Sequence, residues 1–229
     1  MQNPIVNQIF FSVQGEGKNS GSPSIFVRFS GCNFICPWCD TKYAQKGKEM
    51  TVDDICKIIQ NLQCKNIVFT GGEPFLQQDA ILEIIKKLNR VSELYYYEVE
   101  TNGTLDVKEK LCELLDLITV SPKITVENYV YNNFYSELSK NCPELEVVFK
   151  FVVDNYGEME QTLNFINKEK INENIIYLMP KATSITEQFT RLPKITKFVI
   201  RNHLSNLRVT SRLQYLSDLD QTEREDGKC

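Results

Sequence analysis

The sequence lacks the features of a membrane protein or a secreted protein. No apolar run approaches the roughly 20 residues that a membrane-spanning helix needs. The N-terminus, MQNPIVNQIFFSVQGEG, has no basic segment followed by an apolar core, so we expect no secretory signal. The formal net charge is only −4 over 229 residues, which favours binding neither to nucleic acid nor to a membrane. We therefore expect a cytoplasmic protein, and its 42% of apolar residues are enough for a sizeable core.

The chain also lacks an obvious linker, a low-complexity tract and an internal repeat of fixed period. A length of 229 residues suits one large domain or two small ones. Because no linker divides the sequence, we expect a single domain over residues 1–216. The remaining residues, SDLDQTEREDGKC (217–229), are polar and charged, and we expect this C-terminal tail to fray.

Strand-like and helix-like runs alternate through the middle of the chain. Helix-like runs at 51–62, 79–90, 107–115 and 158–169 separate short apolar runs, and Thr51 is placed to cap the first of them. This alternation is typical of an α/β fold with a mainly parallel sheet. Six strands are too few for a closed eight-stranded barrel, so we predict an open, partial βα barrel. The six strand candidates are SIFVRFS (24–30), NIVFT (66–70), YYYEVETNG (95–103), DLITVSPK (116–123), EVVFKFVVD (146–154) and NIIYLMPK (174–181).

Polar or glycine-rich segments follow five of these strands. They are a cysteine-rich loop, TGGEP, ETNGT, SPK and MPK, in chain order. In parallel α/β folds, sites are built at the carboxyl ends of the strands. We therefore expect these segments to meet at one edge of the sheet and to form one site.

Three cysteines lie close together in the segment GCNFICPWCDT (31–41). The spacing is Cys-x3-Cys-x2-Cys, formed by Cys32, Cys36 and Cys39. A structural zinc site normally needs four Cys or His ligands, and the only histidine, His203, is far along the chain. A disulfide with one spare thiol is disfavoured in a reducing compartment. An iron–sulfur cluster prefers thiolates, and three thiolates on a four-iron cluster leave one iron open to a substrate or cofactor.

The cysteine spacing, with Trp38 before the last cysteine and a GGEP segment further on, resembles the radical S-adenosylmethionine superfamily. The resemblance implies a 4Fe-4S cluster whose open iron is chelated by the amino and carboxylate groups of S-adenosylmethionine. It also implies that one electron from the reduced cluster cleaves this cofactor to methionine and a 5′-deoxyadenosyl radical. That radical then abstracts hydrogen from the substrate.

A longer N-terminal pattern narrows the resemblance. FFSVQGEGKNSGSPSIFVRFSGCNFICPWCDT is similar to the 7-carboxy-7-deazaguanine synthase family, and the similarity continues in FTGGEP, EVETNGT, SPK and FKFVV. The resemblance implies a carbon–nitrogen lyase of queuosine and deazapurine biosynthesis. Such an enzyme converts 6-carboxy-5,6,7,8-tetrahydropterin to 7-carboxy-7-deazaguanine with loss of ammonia. It also implies a Mg²⁺ ion, a homodimer, and a flavodoxin or ferredoxin-type electron donor, with no nucleic acid and no membrane among the partners.

The resemblance assigns substrate-binding roles that agree with side-chain chemistry. The Gln14 amide can both donate to and accept from a pterin edge. Arg28 offers a bidentate fork to the substrate carboxylate, although a surface ion pair is the alternative. Thr41 is implied as a ligand of Mg²⁺, a hard cation that accepts few protein ligands, although an isolated Thr is more often a loop cap. The full set implied for substrate is Val13, Gln14, Gly15, Glu16, Arg28 and Thr70.

The resemblance also assigns residues to S-adenosylmethionine. Glu100 is expected to bind the ribose hydroxyl groups, although a glutamate there could simply end a strand. Gly72 is expected to let the backbone approach the cofactor amine. The full set implied for the cofactor is Gly72, Glu73, Glu100, Asn102 with Gly103, Ser121, Pro122, Lys123, Met179 and Pro180.

The C-terminal region departs from the family pattern. Members commonly end in a segment that folds back onto the substrate, often with a terminal proline, but here no proline follows Pro193. Arg212, Gln214 and Tyr215 are candidates to take over this contact.

Two other functions remain open at this point. A glycyl-radical-enzyme activating protein shares the cysteine trio and a GGEP-like segment, but it would need neither the QGEG segment nor an arginine for a pterin carboxylate. A non-catalytic iron–sulfur or zinc module would bind metal without cleaving S-adenosylmethionine. Such a module would have no need of five polar segments at one edge.

Overall fold

One nine-stranded sheet forms the centre of the computed structural model, which describes residues 3–92, 94–132, 134–172 and 175–216. The spatial order is β3-β1-β2-β4-β5-β6-β7-β8-β9, and the sheet is open because the order ends at two different strands. The strands from β2 to β9 are parallel, whereas β1 pairs antiparallel with β2 and β3. The bounds are β1 Ile5–Val13, β2 Pro23–Phe29, β3 Lys48–Glu49, β4 Asn66–Gly71, β5 Tyr96–Thr101, β6 Leu117–Val120, β7 Glu146–Val153, β8 Ile176–Pro180 and β9 Arg208–Val209.

The helices follow the strands in βα order. Their bounds are α1 Val52–Asn61, α2 Gln78–Asn89, α3 Glu109–Cys112, α4 Phe134–Asn141, α5 Tyr156–Lys168 and α6 Ile185–Arg201. Polar residues cap three of them: Thr51, Asn155 and Ser184 accept hydrogen bonds of 3.1, 3.1 and 3.3 Å from backbone N–H groups in the first turn. The cap at Thr51 confirms the sequence-based prediction. No helix within the described residues is long and apolar enough to cross a membrane.

The two faces of the sheet have different chemistry. On β2, the alternate residues Ile25, Val27 and Phe29 are fully buried in the main apolar core, which they share with residues of α1 and α2. The residues between them point to the opposite face, which we call the inner face, because side chains alternate along a strand. The inner face carries Arg28 on β2 and Lys150 on β7. The fold therefore places charged groups on the inner face, opposite the apolar core.

The structure confirms the α/β class, the open parallel sheet and all six predicted strands. The sequence-based prediction omitted β1, β3 and β9 at the two sides of the sheet, and it omitted α4 and α6. It also made α3 too long, since this helix covers only Glu109–Cys112. The single-domain division stays a prediction, and the tail at 217–229 lies outside the described residues.

Candidate active site

The cysteine trio lies on the loop that follows β2. Cys36 is buried, Cys32 and Cys39 are half-buried, and all three thiols are free. Burial raises the pKa of the Cys32 and Cys36 thiols, and the charge of Cys39 raises both further. Gly31 allows the chain to leave the strand, because its φ of 90° lies in a region that favours glycine.

The donor set fits an iron–sulfur cluster better than a single metal ion. Among the residues that the structure describes, no three His, Cys, Asp or Glu side chains converge as ligands of one ion. A structural zinc ion needs four such ligands around one centre, whereas cluster thiolates bind separate irons. Three neighbouring free thiols on one loop suit the second arrangement.

The GGEP segment packs directly against the start of the cysteine loop. A Cβ atom on Gly72 would meet the Gly31 carbonyl oxygen at 1.9 Å, and Gly71 has a φ of 127°. The Glu73 N–H donates a hydrogen bond of 2.9 Å to the same Gly31 oxygen. The close approach that requires glycine at position 72 is therefore to the cysteine loop. The expected approach to the cofactor amine stays a prediction.

Glu73 joins the ends of β4 and β5. It is fully buried, and burial raises the pKa of its carboxyl group. One oxygen accepts hydrogen bonds from the Phe75 N–H at 3.0 Å and the Thr101 hydroxyl at 2.9 Å. The other accepts a bond of 2.8 Å from the Asn102 N–H. Both oxygens are thus engaged by the protein itself.

Asn102 connects the β5 turn to the cysteine loop. Its amide donates a hydrogen bond of 2.8 Å to the Asn33 side chain and accepts one of 2.7 Å from the Thr104 hydroxyl. Asn33 closes this triangle with a bond of 2.8 Å to the Thr104 hydroxyl. The following Gly103 has a φ of 79°, and a Cβ atom there would meet Val120 at 2.6 Å.

The Trp38 ring contacts two ammonium groups at the edge of the sheet. Lys123 and Lys181 place their Nζ atoms 5.6 and 4.8 Å from the centroid of its ring. Lys123 also donates a hydrogen bond of 2.8 Å to Ser121. Burial, aided by the charge of Lys150, lowers the pKa of Lys123, and Cys36 acts in the opposite direction. The contacts of Trp38 therefore join the cysteine loop to the ends of β6 and β8.

Glu100 is the centre of a hydrogen-bonded cluster on the inner face. It accepts hydrogen bonds of 3.3 Å from the Gln14 amide, 3.0 Å from the Thr70 hydroxyl and 3.3 Å from Lys150. Lys150 also lies 2.8 Å from the Glu16 carboxylate. Glu100, which was predicted to bind the ribose of the cofactor, therefore contacts two of the predicted substrate-binding residues, Gln14 and Thr70.

Lys150 was not predicted as a site residue, although the family-like segment FKFVV contains it. The side chain is buried. Burial lowers its pKa, but the Glu100 and Glu16 carboxylates outweigh burial and hold the pKa above the usual range. The available signal was one charged residue within an otherwise apolar strand, which indicates a buried ion pair or a site.

Arg28 faces the same inner surface. It pairs in register with Thr70 on β4, its guanidinium lies 5.0 Å from the centroid of the Phe10 ring, and it donates to the Gln8 amide oxygen at 3.4 Å. Arg28 is only half-buried. Its guanidinium is thus held by an aromatic ring at the side of the Glu100 cluster.

The C-terminal segment returns to the QGEG segment. Glu16 Oε1 accepts hydrogen bonds from Arg212 Nε and Gln214 Nε2, and each bond is 2.6 Å long. Burial raises the pKa of Glu16, but the cations Arg212 and Lys150 outweigh it and hold the pKa far below the usual range. The Tyr215 hydroxyl lies 3.5 Å from the Asp40 carboxylate. All three residues that the sequence offered as substitutes for the family's C-terminal contact therefore reach this region.

The other predicted site residues do not all lie beside the cysteine loop, because Val13 pairs with Pro23 at the start of β2 whereas the loop follows the end of that strand. Thr41 is half-buried, with its hydroxyl 3.5 Å from the Cys39 sulfur. Val13 is 46% exposed at the end of β1, whereas Met179 is fully buried on β8. Pro122 and Pro180 are buried at the ends of β6 and β8.

An open groove of about 450 Å³ lies beside the cysteine loop, but none of the residues predicted to bind substrate or cofactor lines it. We therefore define the candidate site by the cysteine loop and the inner-face cluster. The groove is lined by Asn33, Phe34, Thr104, Asn128, Val130, Tyr131 and Asn132.

Comparisons with known proteins agree with this geometry. The model of the Radical SAM superfamily matches residues 26–184. The 7-carboxy-7-deazaguanine synthase of Pyrobaculum aerophilum is 35% identical over 218 residues, covering 93% of this chain and 93% of that protein. The protein of the same name from Halobacterium salinarum is 43% identical over 236 residues, covering 91% and 88%.

A solved structure shares the fold. The crystal structure of QueE from Escherichia coli has a TM-score of 0.66 and 23% sequence identity, and the match covers 92% of this chain and 94% of that chain. At this identity the likeness shows the architecture alone. Taken with the family model and the two relatives, it leads to one assignment. The chain belongs to the radical S-adenosylmethionine superfamily and, within it, to the 7-carboxy-7-deazaguanine synthase family.

Proposed function

We propose that this chain converts 6-carboxy-5,6,7,8-tetrahydropterin to 7-carboxy-7-deazaguanine with loss of ammonia, in queuosine or deazapurine biosynthesis. The observation that carries the proposal is the convergence of Gln14, Thr70 and Lys150 on Glu100, on the inner face of the sheet whose strand β2 leads into the free cysteine trio. Amide, hydroxyl and charged groups in one buried cluster suit a small polar heterocycle. The relatives that span most of the chain bear the name of this activity.

Cys32, Cys36 and Cys39 would hold the 4Fe-4S cluster. When bound, the cluster and S-adenosylmethionine supply the radical that removes hydrogen from the substrate. Ser121, Pro122, Lys123, Met179 and Pro180 would line the cofactor side, together with Gly72, Asn102 and Gly103. We assign Glu73 a positioning role, because both of its oxygens already accept hydrogen bonds from the protein. Its contacts fix the turns after β4 and β5 against each other.

The substrate would lie over the inner face, between Arg28 and the QGEG segment. The Arg28 guanidinium can form two parallel hydrogen bonds to the substrate carboxylate. The side chains of Gln14 and Thr70 point into the same cluster and would hydrogen-bond the pterin edge. Val13 and Gly15 would contribute backbone groups. Glu16 and Glu100 would supply negative charge near the amino groups of the heterocycle.

We propose Mg²⁺ as a further cofactor, with Thr41 as its protein ligand. The Thr41 hydroxyl lies on the cysteine loop and faces the Cys39 sulfur at 3.5 Å. A single protein oxygen suits Mg²⁺, which usually keeps several waters and uses oxygens of the substrate. Thr41→Ser should keep most of the dependence of turnover on added Mg²⁺, whereas Thr41→Val should abolish it.

Three further features remain proposals. We propose a flavodoxin or ferredoxin-type electron donor, because the reaction needs one electron at a time, and we propose a cytoplasmic location. We also propose a homodimer, which is supported by an exposed apolar stripe on α6. Its residues are Ile185, Phe189, Pro193 and Ile200, which recur at helical spacing on the face away from the sheet.

Anaerobic turnover tests the proposed function. The reconstituted protein receives a reductant, S-adenosylmethionine, Mg²⁺ and the tetrahydropterin, and 5′-deoxyadenosine and the deazapurine are followed by mass spectrometry. Formation of both products is the expected result. Formation of 5′-deoxyadenosine without the deazapurine would overturn the assignment of the tetrahydropterin as substrate. It would favour the alternative function, activation of a glycyl-radical enzyme. Cys36→Ala should lose both the cluster absorbance and cofactor cleavage, whereas Cys56→Ala, a buried cysteine outside the trio, should keep both.

A further inference from the structure

One buried guanidinium is bonded to three separate segments of the chain. Arg212 is only 7% exposed. Its Nε donates a hydrogen bond of 2.6 Å to Glu16, its Nη1 donates one of 2.6 Å to the Ala182 carbonyl oxygen, and its Nη2 forms an ion pair with Asp40. These partners belong to the QGEG segment, to the chain just after β8, and to the cysteine loop. Arg212 thereby joins two loops of the candidate site to the chain that follows β8.

The residues after Arg212 also lie on the QGEG segment. The Leu213 N–H donates a hydrogen bond of 3.0 Å to the Gly15 carbonyl oxygen. The Gln214 amide donates to Glu16, and a Cβ atom on Gly15 would meet the Gln214 side-chain oxygen at 2.0 Å. A larger residue at position 15 would therefore displace the Gln214 side chain. We call residues 212–215 the C-terminal latch.

A residue of α6 anchors the backbone of the C-terminal latch. Gln188 is buried and its side chain forms both backbone hydrogen bonds of Arg212, accepting from the N–H at 3.5 Å and donating to the carbonyl oxygen at 3.4 Å. These two contacts do not involve the QGEG segment. The backbone of Arg212 is thus anchored to a helix while its side chain reaches into the site.

The contacts of Glu16 limit what this residue can do for the substrate. One oxygen accepts from Arg212 and Gln214, and the other pairs with Lys150 at 2.8 Å. With both oxygens engaged in this way, Glu16 cannot offer them together to a guanidine-like edge of the substrate. Its backbone N–H, however, donates a hydrogen bond of 3.2 Å to the Gln14 side-chain oxygen. A fixed Glu16 therefore fixes the orientation of Gln14, whose amide faces the Glu100 cluster.

We propose that Arg212 is a positioning residue, which holds the substrate-binding residues Gln14–Glu16 in register with the cysteine loop by bridging Glu16 and Asp40. The inference rests on the proposed function. The bridge requires arginine, because a planar guanidinium donates in several fixed directions at once whereas an ammonium group is a compact point charge. The relative position of the substrate and the cysteine loop matters for a radical reaction, since a small displacement of the reacting atoms lowers the rate of the productive step.

The variant Arg212→Lys tests the proposal, with Arg208→Lys as the matched control. Arg208 lies four residues earlier, and its guanidinium donates to the Tyr177 hydroxyl and packs against the Tyr177 ring. We expect Arg212→Lys to raise the KM for the tetrahydropterin by about tenfold, the size of one lost charge-assisted hydrogen bond. We also expect more deoxyadenosine per deazapurine formed, with unchanged cofactor cleavage when substrate is omitted. Arg208→Lys should match the parent protein in all three quantities.

A second measurement needs neither cofactor nor substrate. Hydrogen exchange on the apoprotein should show faster exchange at residues 14–16 and 213–215 in Arg212→Lys but not in Arg208→Lys. If Arg212→Lys unfolds, Gln188→Ala loosens the same anchor and should accelerate exchange in the same two segments. An unchanged exchange rate at residues 14–16, or an unchanged KM and product ratio, would overturn the proposal. If the parent protein cleaves the cofactor but never converts the pterin, the proposed function fails, and the exchange experiment still decides whether the latch holds the segment.

Discussion

The ammonium group of Lys150 lies 2.8 Å from the carboxylate of Glu16, and both side chains are buried. Such a pair is favourable only while both members are present, since removal of one leaves an uncompensated charge in a low-dielectric environment. Here the charge is shared further, because Lys150 also pairs with Glu100 at 3.3 Å. Lys150 therefore bridges two carboxylates of the inner face, and Arg212 adds a second positive charge beside Glu16.

We predict that Lys150→Met lowers the free energy of unfolding by about 3–5 kcal/mol, the usual cost of removing one member of a buried pair. Chemical denaturation of the apoprotein measures this quantity. Lys18→Met is the control, because Lys18 pairs with Glu146 at the surface and such pairs contribute about 1 kcal/mol or less. Equal losses in the two variants would show that the buried cluster carries no special stabilisation.

A second prediction concerns Glu98, which lies two residues before Glu100 on β5. Burial, aided by the charge of Glu100, raises the pKa of Glu98 to about 7, although hydrogen bonds from Thr119 at 2.8 Å and Asn19 at 3.0 Å oppose the shift. The folded state then keeps this proton after the unfolded chain has released it. Stability should therefore fall as the pH rises from about 4.5 to about 7, by an amount on the order of 3 kcal/mol.

Glu98→Gln removes this titration while an amide oxygen remains to accept from Thr119. We expect the variant to lose less stability than the parent protein between about pH 5 and about pH 8, because its amide has no proton to release. For the same reason it should be the more stable of the two proteins at the higher pH. Denaturant unfolding at several pH values measures the slope. Glu160→Gln, at an exposed position on α5, controls for the loss of one carboxylate. A slope that Glu98→Gln leaves unchanged would contradict the prediction.

The strands of this fold could be predicted because each central strand is a short apolar run bounded by turn residues. Parallel strands that are buried on both faces give a strong signal of this kind, as Ile67, Val68 and Phe69 do on β4. The helix α6 was missed because Pro193 interrupts its pattern, and a proline inside a helix normally indicates an end. At the opposite side of the sheet, β1 contains polar residues between its apolar ones and joins the sheet as an antiparallel strand.

The site could be predicted only in part, for a physical reason. The cysteine trio and the glycine-rich segments are local patterns, and the structure brings them together at one edge. The ion pairs of the inner face join residues that are distant in sequence: Lys150 and Glu100 are 50 residues apart, and Arg212 and Glu16 are 196 apart. No local pattern indicates which buried charge will meet which partner. Resemblance to a family supplied the roles of Gln14 and Arg28, which spacing alone did not.

A third prediction concerns the carboxylate of the substrate. Arg28→Lys keeps the positive charge but loses the bidentate fork, which should weaken substrate binding by about 1.5–3 kcal/mol. The KM for the tetrahydropterin should rise by about 10- to 100-fold, while cofactor cleavage without substrate stays near the parent rate. Arg208→Lys again serves as the control. If Arg28→Lys leaves the KM unchanged, Arg28 does not bind the carboxylate.

The last prediction concerns the outer face of α6. An antiparallel pairing of two copies about Pro193 would bring Ile185 of one copy beside Ile200 of the other. It would also bring Glu187, near the start of the helix, towards the basic residues Lys194, Lys197 and Arg201 near its end, so that charges of opposite sign would meet.

Phe189→Glu places a charge in the middle of this apolar stripe, where the side chain of Phe189 is 68% exposed. The substitution should convert a dimer to a monomer without a loss of stability in the single chain, because no core contact is removed. Sedimentation velocity at several concentrations measures the assembly state. Val91→Glu, at another exposed apolar position outside α6, is the control and should remain a dimer. A dimer that survives Phe189→Glu would place the contact on a different surface, and a parent chain that is monomeric throughout would contradict the homodimer itself.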